Sequence, residues 1–511
     1  MIDNFDFSDL FVLDLANNHQ GDVQHGLNII RSLSKAIKKH NVRAGIKFQF
    51  RQLDTFIHPN HQTNSDNKHI PRFISTRLSK SDYKILFNEI RNENLISVCT
   101  PFDEASVDII NEMDFDIIKI ASCSAKDWPL IERMANSNKP VIASTGGMSL
   151  EHIDNLVSFF EHKGVDYALM YCVSIYPIPN DDFNLDQINT FKERYPNRVI
   201  GWSTHEDPNA TVPIQIAVSK GAKMFERHVG IETDKIKLNA YSSTPSQIDK
   251  WFAAYNEAKK LCGTRERKKF PRVETESIDS LRRGVFSKGK IKKGNIILKE
   301  NIYFAMPYSQ GQLDSGHWQN GIVTERDIDI NEPLIIEALV IPERSKEKLL
   351  KSAVHEVKAL LNQAHISLGS EFSVEYSHHY GIENFRETGA VIINCINREY
   401  CKKIIVQLPS QKHPTHFHKR KEETFQILYG ELHIEVDGHH KLLAQGDKQL
   451  ILPGVWHSFW TDTGAVFEEI STTHYNDDSF YKDKTINRQG RDARKTVVEH
   501  WGRFQLVEYI N

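Results

Sequence analysis

Short apolar runs alternate with amphipathic helical patterns over the first half of the chain. Strand candidates fall at residues 11–16, 44–50, 96–100, 117–121, 141–144, 167–173, 199–203 and 224–227. Between the first two, Leu27, Ile30, Leu33 and Ile37 recur on one helical face. Tyr83, Leu86, Phe87 and Ile90 do the same further on, with Ser79 or Ser81 as the cap. Eight strands, each followed by a helix, is the count for a closed (β/α)8 barrel. A doubly wound open sheet is the alternative, although no G-x-G-x-x-G follows the first strand.

Polar residues collect at the carboxyl ends of these strands, the face on which such barrels build their sites. They are Asn18 and His19, Lys47 and Gln49, Thr100, Lys119 and Ser122, Ser144 to Gly147, Tyr176, Ser203 and His205, then Glu226 and His228. A helical segment at 211–219 separates the last two strands, so both run parallel and end at one mouth. His205 and His228 are thereby placed to share a divalent metal. A lysine inside a strand is costly unless it is paired. Lys47 and Lys119, with several hydroxyls beside them, imply a bound anion such as phosphate or carboxylate. The alternative is that both lysines form structural salt bridges with barrel acids.

Composition narrows the classes without choosing among them. The chain has 511 residues, 40% hydrophobic and 26% charged, with net charge −3. That length calls for two to four domains. The near-neutral balance gives no electrostatic footprint for nucleic acid or an anionic membrane. The basic clusters at 35–43, 265–269 and 288–293 are short and mixed. No signal-peptide pattern or spanning apolar stretch is present. Six cysteines without C-x-x-C spacing argue against disulfides and for a reducing cytoplasm.

The barrel residues resemble the sialic acid synthase family, which condenses phosphoenolpyruvate with a sugar aldehyde. The matching motifs are Asn18-His19-Gln20-Gly21, Lys47-Phe48-Gln49, Thr100-Pro101-Phe102-Asp103 and Lys119-Ile120-Ala121-Ser122. They continue with Ser144-Thr145-Gly146-Gly147-Met148, Ile175-Tyr176-Pro177, Ser203-Thr204-His205 and Glu226-Arg227-His228. The resemblance implies that Lys47, Thr100, Lys119, Ser122, Ser144 and Ser203 hold phosphoenolpyruvate. It implies His205 and His228 as metal ligands, with Mn2+ the usual ion, and Gln49, Tyr176 and Asp14 facing the sugar. Lys47, Lys119, His205, His228 and Asp14 are then the catalytic set.

Departures from the family sit on the sugar side. Ser124 stands where the family has a glutamate, and Ser174 where it has an asparagine. The family's aspartate after the eighth strand falls at Leu238, with Asn239 its replacement if the register slips by one. These changes predict an acceptor other than N-acetylmannosamine.

The charged, turn-rich segment 263–280 reads as a linker closing a barrel domain of residues 1–262. Residues 281–342 resemble the small antifreeze-like (SAF) domain that follows this barrel in the same family. There it caps the partner's site in a domain-swapped homodimer and supplies an arginine to the sugar, where this chain has Met306.

Residues 343–511 begin with an amphipathic helix at 345–363, then short strands with Gly-containing turns that predict an all-β barrel. His416 and His418, two apart on a strand, point the same way. With Glu423 and His457 they complete a 3-His-1-carboxylate metal site for Mn2+, Zn2+, Fe2+ or Ni2+. Both halves of this pattern are those of a cupin. His413, His433, His439, His440 and His474 read as surface or core residues. The tail from Phe459 to Asp478 resembles the D-lyxose isomerase branch, which implies Glu469 (or Glu468) and Lys421 as acid–base or substrate groups.

The expectation is a cytoplasmic homodimer that joins phosphoenolpyruvate to an aldose, giving a 3-deoxy-2-ulosonic acid for surface polysaccharide. Its cupin isomerises or binds the sugar. The alternatives are a cupin isomerase, or a sugar-sensing cupin, carrying a degenerate barrel.

Overall fold

A computed structural model describes residues 5–63, 66–264, 270–343, 346–498 and 501. The chain forms two units, Met1–Lys268 and Lys269–Asn511.

The first unit is a closed barrel of eight parallel strands in chain order. They are β1 (Leu10–Asp14), β2 (Arg43–Phe50), β3 (Ile96–Pro101), β4 (Ile117–Ile120), β5 (Val141–Ser144), β6 (Tyr167–Cys172), β7 (Ile200–Thr204) and β8 (Met224–His228). β8 returns to β1, so that Asp14 lies between Lys47 and His228 in register. Strand alternation explains what fills the barrel. Val12, Val98, Ile117, Ile142, Ala168, Met170 and Met224 pack together at its base. The residues between them, Phe11, Phe48, Cys99, Ile118, Ala143, Leu169, Trp202 and Phe225, face the helical layer. Two residues beyond the base on the inward face come Asp14, Thr100, Lys119, Ser144, Cys172 and Glu226. Of the two candidate caps, Ser79 takes the role: its hydroxyl accepts from Asp82 N and the Asp82 carboxylate accepts from Ser79 N.

The second unit holds separate cores, beginning with a small β region of two antiparallel pairs. β9 (Gly284–Ser287) pairs with β10 (Ile302–Ala305), and β11 (Val323–Thr324) with β12 (Leu339–Val340). Val285, Ile297, Ile302, Leu313, Ile322 and Leu334 fill its interior. The segment expected as a linker contains a helix, Arg272–Leu281, started by Pro271 and burying none of its residues. Residues 265–269 of that linker lie outside the described residues.

The expected helix at 345–363 is Lys346–Gln363, and Ser345 lies outside the described residues. Leu350, Ala353, Val354, Val357 and Leu361 of that helix pack on a sheet face formed by Val374, Tyr376, Val391, Ile393, Ile404 and Val406. Twelve strands follow: β13 (Ser373–Ser377), β14 (Ala390–Asn397), β15 (Tyr400–Gln407), β16 (Lys412–Phe417), β17 (Glu423–Gly430), β18 (Leu432–Val436), β19 (His439–Leu443), β20 (Lys448–Ile451), β21 (His457–Trp460), β22 (Ala465–Thr472), β23 (Phe480–Tyr481) and β24 (Lys495–Val498). They make a seven-stranded sheet, β20-β17-β22-β15-β14-β13-β24, and a five-stranded sheet, β19-β18-β21-β16-β23. Phe425, Ile427, Ile434, Phe459 and Phe467 belong to the core of this β region. The architecture is therefore a (β/α)8 barrel followed by an all-β cupin.

Candidate functional site

Two ammonium groups meet one carboxylate inside the first barrel. Lys119 Nζ lies 2.9 Å from Glu226 Oε2, and Lys47 Nζ binds the other oxygen of Glu226. Lys47 Nζ also stands 3.0 Å from Asp14 Oδ2, and Lys119 Nζ donates to Ser144 Oγ at 2.5 Å. Both lysines are thus paired with barrel acids, as the structural alternative required. Burial opposes the charge of Lys47, but Asp14 and Glu226 outweigh it and raise its pKa. Burial lowers that of Lys119, with only partial compensation from Glu226. Glu226 resists burial because Lys119 and Lys47 hold its pKa far below the usual carboxylate range.

Thr100 Oγ1 is buried without a hydrogen-bond partner at this level. Ser122 Oγ accepts from Gly146 N at 3.1 Å. A Cβ on Gly146 would press on the hydroxyls of Ser122 and Ser174, so glycine leaves them their places. Ser203 is buried at the inward end of β7. These donors, the two lysines and Glu226 belong to one mouth.

His205 and His228 face each other with ring centroids 5.3 Å apart. His205 Nδ1 contacts Val173 O at 3.2 Å. A carbonyl only accepts, so Nδ1 carries the proton and Nε2 keeps its lone pair. Burial, then the neighbouring His228, takes the His205 pKa down to about 3, and burial lowers that of His228. Neutral imidazoles are the form a metal binds. His228 Nδ1 is buried without a partner, and Nε2 lies 3.5 Å from Asp14 Oδ2. Two neutral imidazoles facing each other suit a shared divalent cation.

On the expected sugar side, Gln49 Nε2 donates to Asp14 Oδ2 at 2.9 Å. The Tyr176 ring is half exposed and sits 4.1 Å from that of His205. Ser124 is buried in a short turn, with Cys123 Sγ 3.9 Å from its hydroxyl. The Asn239 carboxamide oxygen accepts from Tyr241 N at 3.2 Å, so its own loop uses it. Leu238 packs against Gly230. Sequence reasoning placed Glu226 in the polar ring at this mouth without a specific role, and did not single out Tyr241 or Arg51. The Tyr241 ring lies 5.3 Å from His228 and 5.2 Å from Tyr176. Parity puts Glu226, two residues before His228, on the same strand face.

The cupin gathers His416, His418, Glu423 and His457, all buried, with candidate ligand atoms within 4.8 Å of one another. Among the described residues this is the one cluster of three or more such groups. Each imidazole has Nδ1 on a backbone carbonyl: His416 on Pro414 at 3.0 Å, His418 on Asp478 at 2.6 Å, His457 on Val455 at 3.2 Å. All three Nε2 atoms therefore keep lone pairs for the centre. His457 Nε2 and Glu423 Oε1 lie 2.9 Å apart, yet neither has a hydrogen bond, as expected of atoms meant to share a cation. Burial takes the His418 pKa down to about 4. Three imidazoles and a carboxylate suit Mn2+, Fe2+, Ni2+ or Zn2+.

A charged chain runs from this centre. Lys421 Nζ binds Glu423 and stands 2.9 Å from Glu469 Oε1, which Lys403 Nζ approaches at 3.0 Å. Glu469 is buried, whereas Glu468 points out to Lys402. Lys403 escaped sequence reasoning, although it lies directly across from Glu469 in register. The Asp478 carboxylate accepts from the backbone N–H groups of Lys419, Arg420 and Lys421, which fixes the loop carrying His418. Of the histidines read as structural, His413 is buried and stacks on Phe459.

A polar-mouthed (β/α)8 barrel and a cupin with a candidate metal centre define a two-module architecture. Residues 35–267 match the NeuB family, and residues 404–470 match the cupin domain. A crystal structure assigned to spore coat polysaccharide biosynthesis protein E of Chromobacterium violaceum is 41% identical. It covers 65% of this chain and 100% of its own, with a TM-score of 0.62. An uncharacterized protein of Methanocaldococcus jannaschii is 31% identical over 57% of this chain and 82% of its own length. The N-acetylneuraminate-9-phosphate synthase of Drosophila melanogaster is 31% identical over 43% of this chain and 60% of its own. The chain belongs to the NeuB family and carries a C-terminal cupin domain. No helix of the described residues is long and apolar enough to cross a membrane.

Proposed function

We propose that the barrel joins phosphoenolpyruvate to an aldose and releases phosphate, giving a 3-deoxy-2-ulosonic acid. The observation that carries this is the pair of buried lysines, Lys47 and Lys119, meeting Glu226 beside Ser144, Thr100 and the two histidines. The synthase name of the Drosophila relative supports the same reading. Carbon 3 of the enolpyruvate attacks the aldehyde, and the aldehyde oxygen takes a proton. Water adds to carbon 2, and phosphate leaves by C–O cleavage to form the keto acid.

Lys47 and Lys119 bind the phosphate and carboxylate of phosphoenolpyruvate, helped by Thr100, Ser122, Ser144 and Ser203. Glu226 orients both ammonium groups before substrate arrives. Lys47, Lys119, Glu226 and Asp14 sum to zero charge, so the anionic substrate calls for further positive charge at this mouth. A divalent ion at His205 and His228, Mn2+ by family resemblance, supplies that charge and Lewis acidity towards a carbonyl. Asp14, Gln49 and Tyr176 position the acceptor, and proximity of the two reactants supplies much of the rate. Residues 1–262 are the synthase domain in this reading, with residues 281–342 an antifreeze-like domain capping the partner's site in a cytoplasmic homodimer. The changed residues Ser124, Leu238 and Met306 favour an acceptor without an acetamido group.

In the cupin, residues 343–511, Glu469 between Lys403 and Lys421 favours sugar isomerisation over passive binding. A carboxylate beside a metal centre suits proton transfer between sugar carbons 1 and 2. The test is phosphate release from phosphoenolpyruvate with Mn2+, against acetamido and plain aldoses and ketoses. Release with plain aldoses supports the synthase. A ketose that works only while His418 is intact supports the isomerase. No release with any sugar overturns the synthase reading.

A further inference from the structure

β2 points Lys47 and Gln49 into the barrel, and Arg51, one residue past its end, continues the alternation. At about 3.3 Å per residue, the Cα of Gln49 lies about 6.6 Å further along the strand than that of Lys47. The three side chains therefore form a column from the proposed phosphoenolpyruvate layer to the rim. Arg51 reaches back down it: its Nη2 donates to Gln49 Oε1 at 3.0 Å, and Gln49 in turn donates to Asp14.

The guanidinium is sandwiched. It lies 4.2 Å from the Phe73 ring and 3.6 Å from the Phe102 ring. With rings over its faces, its N–H donors are left to in-plane partners, of which Gln49 is one. Its Nε is buried and has no hydrogen-bond partner. Arg51 forms no ion pair among the described residues, unlike Lys47 and Lys119. Arg72, next to Phe73 in the chain, is likewise unpaired by a carboxylate and donates to Asn18 Oδ1 at 3.2 Å. Neither rim guanidinium has an ion-pair partner among the described residues, and the charges of the mouth below them cancel. A pre-oriented guanidinium edge is the geometry that grips carboxylate or phosphate through two parallel hydrogen bonds.

Resting on the synthase reading, we propose that Arg51 sets acceptor specificity by gripping an oxyanion at the end of the sugar remote from its reacting carbonyl. The reacting carbonyl belongs beside Asp14 and the histidines, low in the column. The far end of the sugar then rises past Gln49 to Arg51. The acceptor class is an anionic aldose, a sugar phosphate or a uronic acid.

The experiment compares phosphate release by the full chain with three acceptors of one sugar: the neutral aldose, its 6-phosphate and its uronic acid. One anionic acceptor is expected to exceed the neutral one in kcat/KM by about 30-fold, the scale of a charged double hydrogen bond. Which of the two exceeds it identifies the oxyanion. Arg51→Met should abolish that preference, and Arg51→Lys, which keeps charge without the fork, should restore part of it. A neutral acceptor as good as both anionic ones overturns the proposal, as does Arg51→Met lowering all acceptors in equal proportion. Absence of release with every acceptor overturns the synthase reading itself, and this inference with it.

Discussion

Lys119 Nζ lies 2.9 Å from Glu226 Oε2, with both side chains buried in the barrel. The other oxygen of the same carboxylate holds Lys47. One acid therefore spaces two cations that would otherwise repel each other in a poorly solvated site. An arriving phosphate meets lysines that this acid has already fixed in place.

Glu226→Gln keeps the shape and removes the charge that separates the lysines. Breaking a buried ion pair costs about 3–5 kcal/mol of folding stability. Denaturant unfolding should show that loss. The KM for phosphoenolpyruvate should rise at least about tenfold, equivalent to 1.4 kcal/mol. An unchanged KM in a folded variant would remove Glu226 from the binding machinery.

Metal in the cupin should depend on its four ligands. Elemental analysis of the full chain should find His418→Ala with less bound metal than the parent protein, while phosphate release with a plain aldose persists. Chelation should also lower the unfolding temperature of the cupin. A ligand present at 100 times its Kd stabilises by about 2.7 kcal/mol. Equal metal content in the variant would show that these residues do not form the site.

Asp478 acts through the loop it holds, not through the metal. Its carboxylate takes three consecutive backbone amides, and its carbonyl takes His418 Nδ1. Asp478→Ala leaves those amides without their acceptor and should weaken metal binding about 10- to 100-fold, the usual effect of losing an outer support. Asp478→Asn, which keeps acceptor oxygen, should recover part of it. Affinity unchanged in the alanine variant would make Asp478 a structural loop residue only.

Much of this was legible because strand parity is local information. Lys47 and Gln49, His416 and His418, and the apolar residues between them declare which face is which. The position of polar groups at strand ends likewise followed from the chain in order. Pairing across strands was less visible. That Glu226 would join two lysines depends on three strands closing into a barrel, and Lys403 meets Glu469 only through the register of β15 and β22. Which of Glu468 and Glu469 turns inward likewise depends on which face of β22 is buried. The helix at Arg272–Leu281 was hidden by its charge, since it buries none of its residues.

Acid should expose the buried carboxylate of the cupin. Burial opposes ionisation of Glu469, but Lys403 and Lys421 hold its pKa down to about 2, against 4.5 for an ordinary glutamate. Between those values the unfolded chain binds a proton that the folded protein refuses, so stability falls as pH falls. The contribution is complete above about pH 4.5 and is lost towards pH 2, with a slope of about 1.4 kcal/mol per pH unit. Glu469→Gln cannot titrate, so this slope should disappear between pH 4.5 and 3.5, measured by urea unfolding of the full chain. The variant should also be less stable at pH 7, because Lys403 and Lys421 lose their shared partner. Parallel stability curves for the two proteins across this window would mean that Glu469 is already protonated in the fold, and that the lysine pair does not hold it ionised.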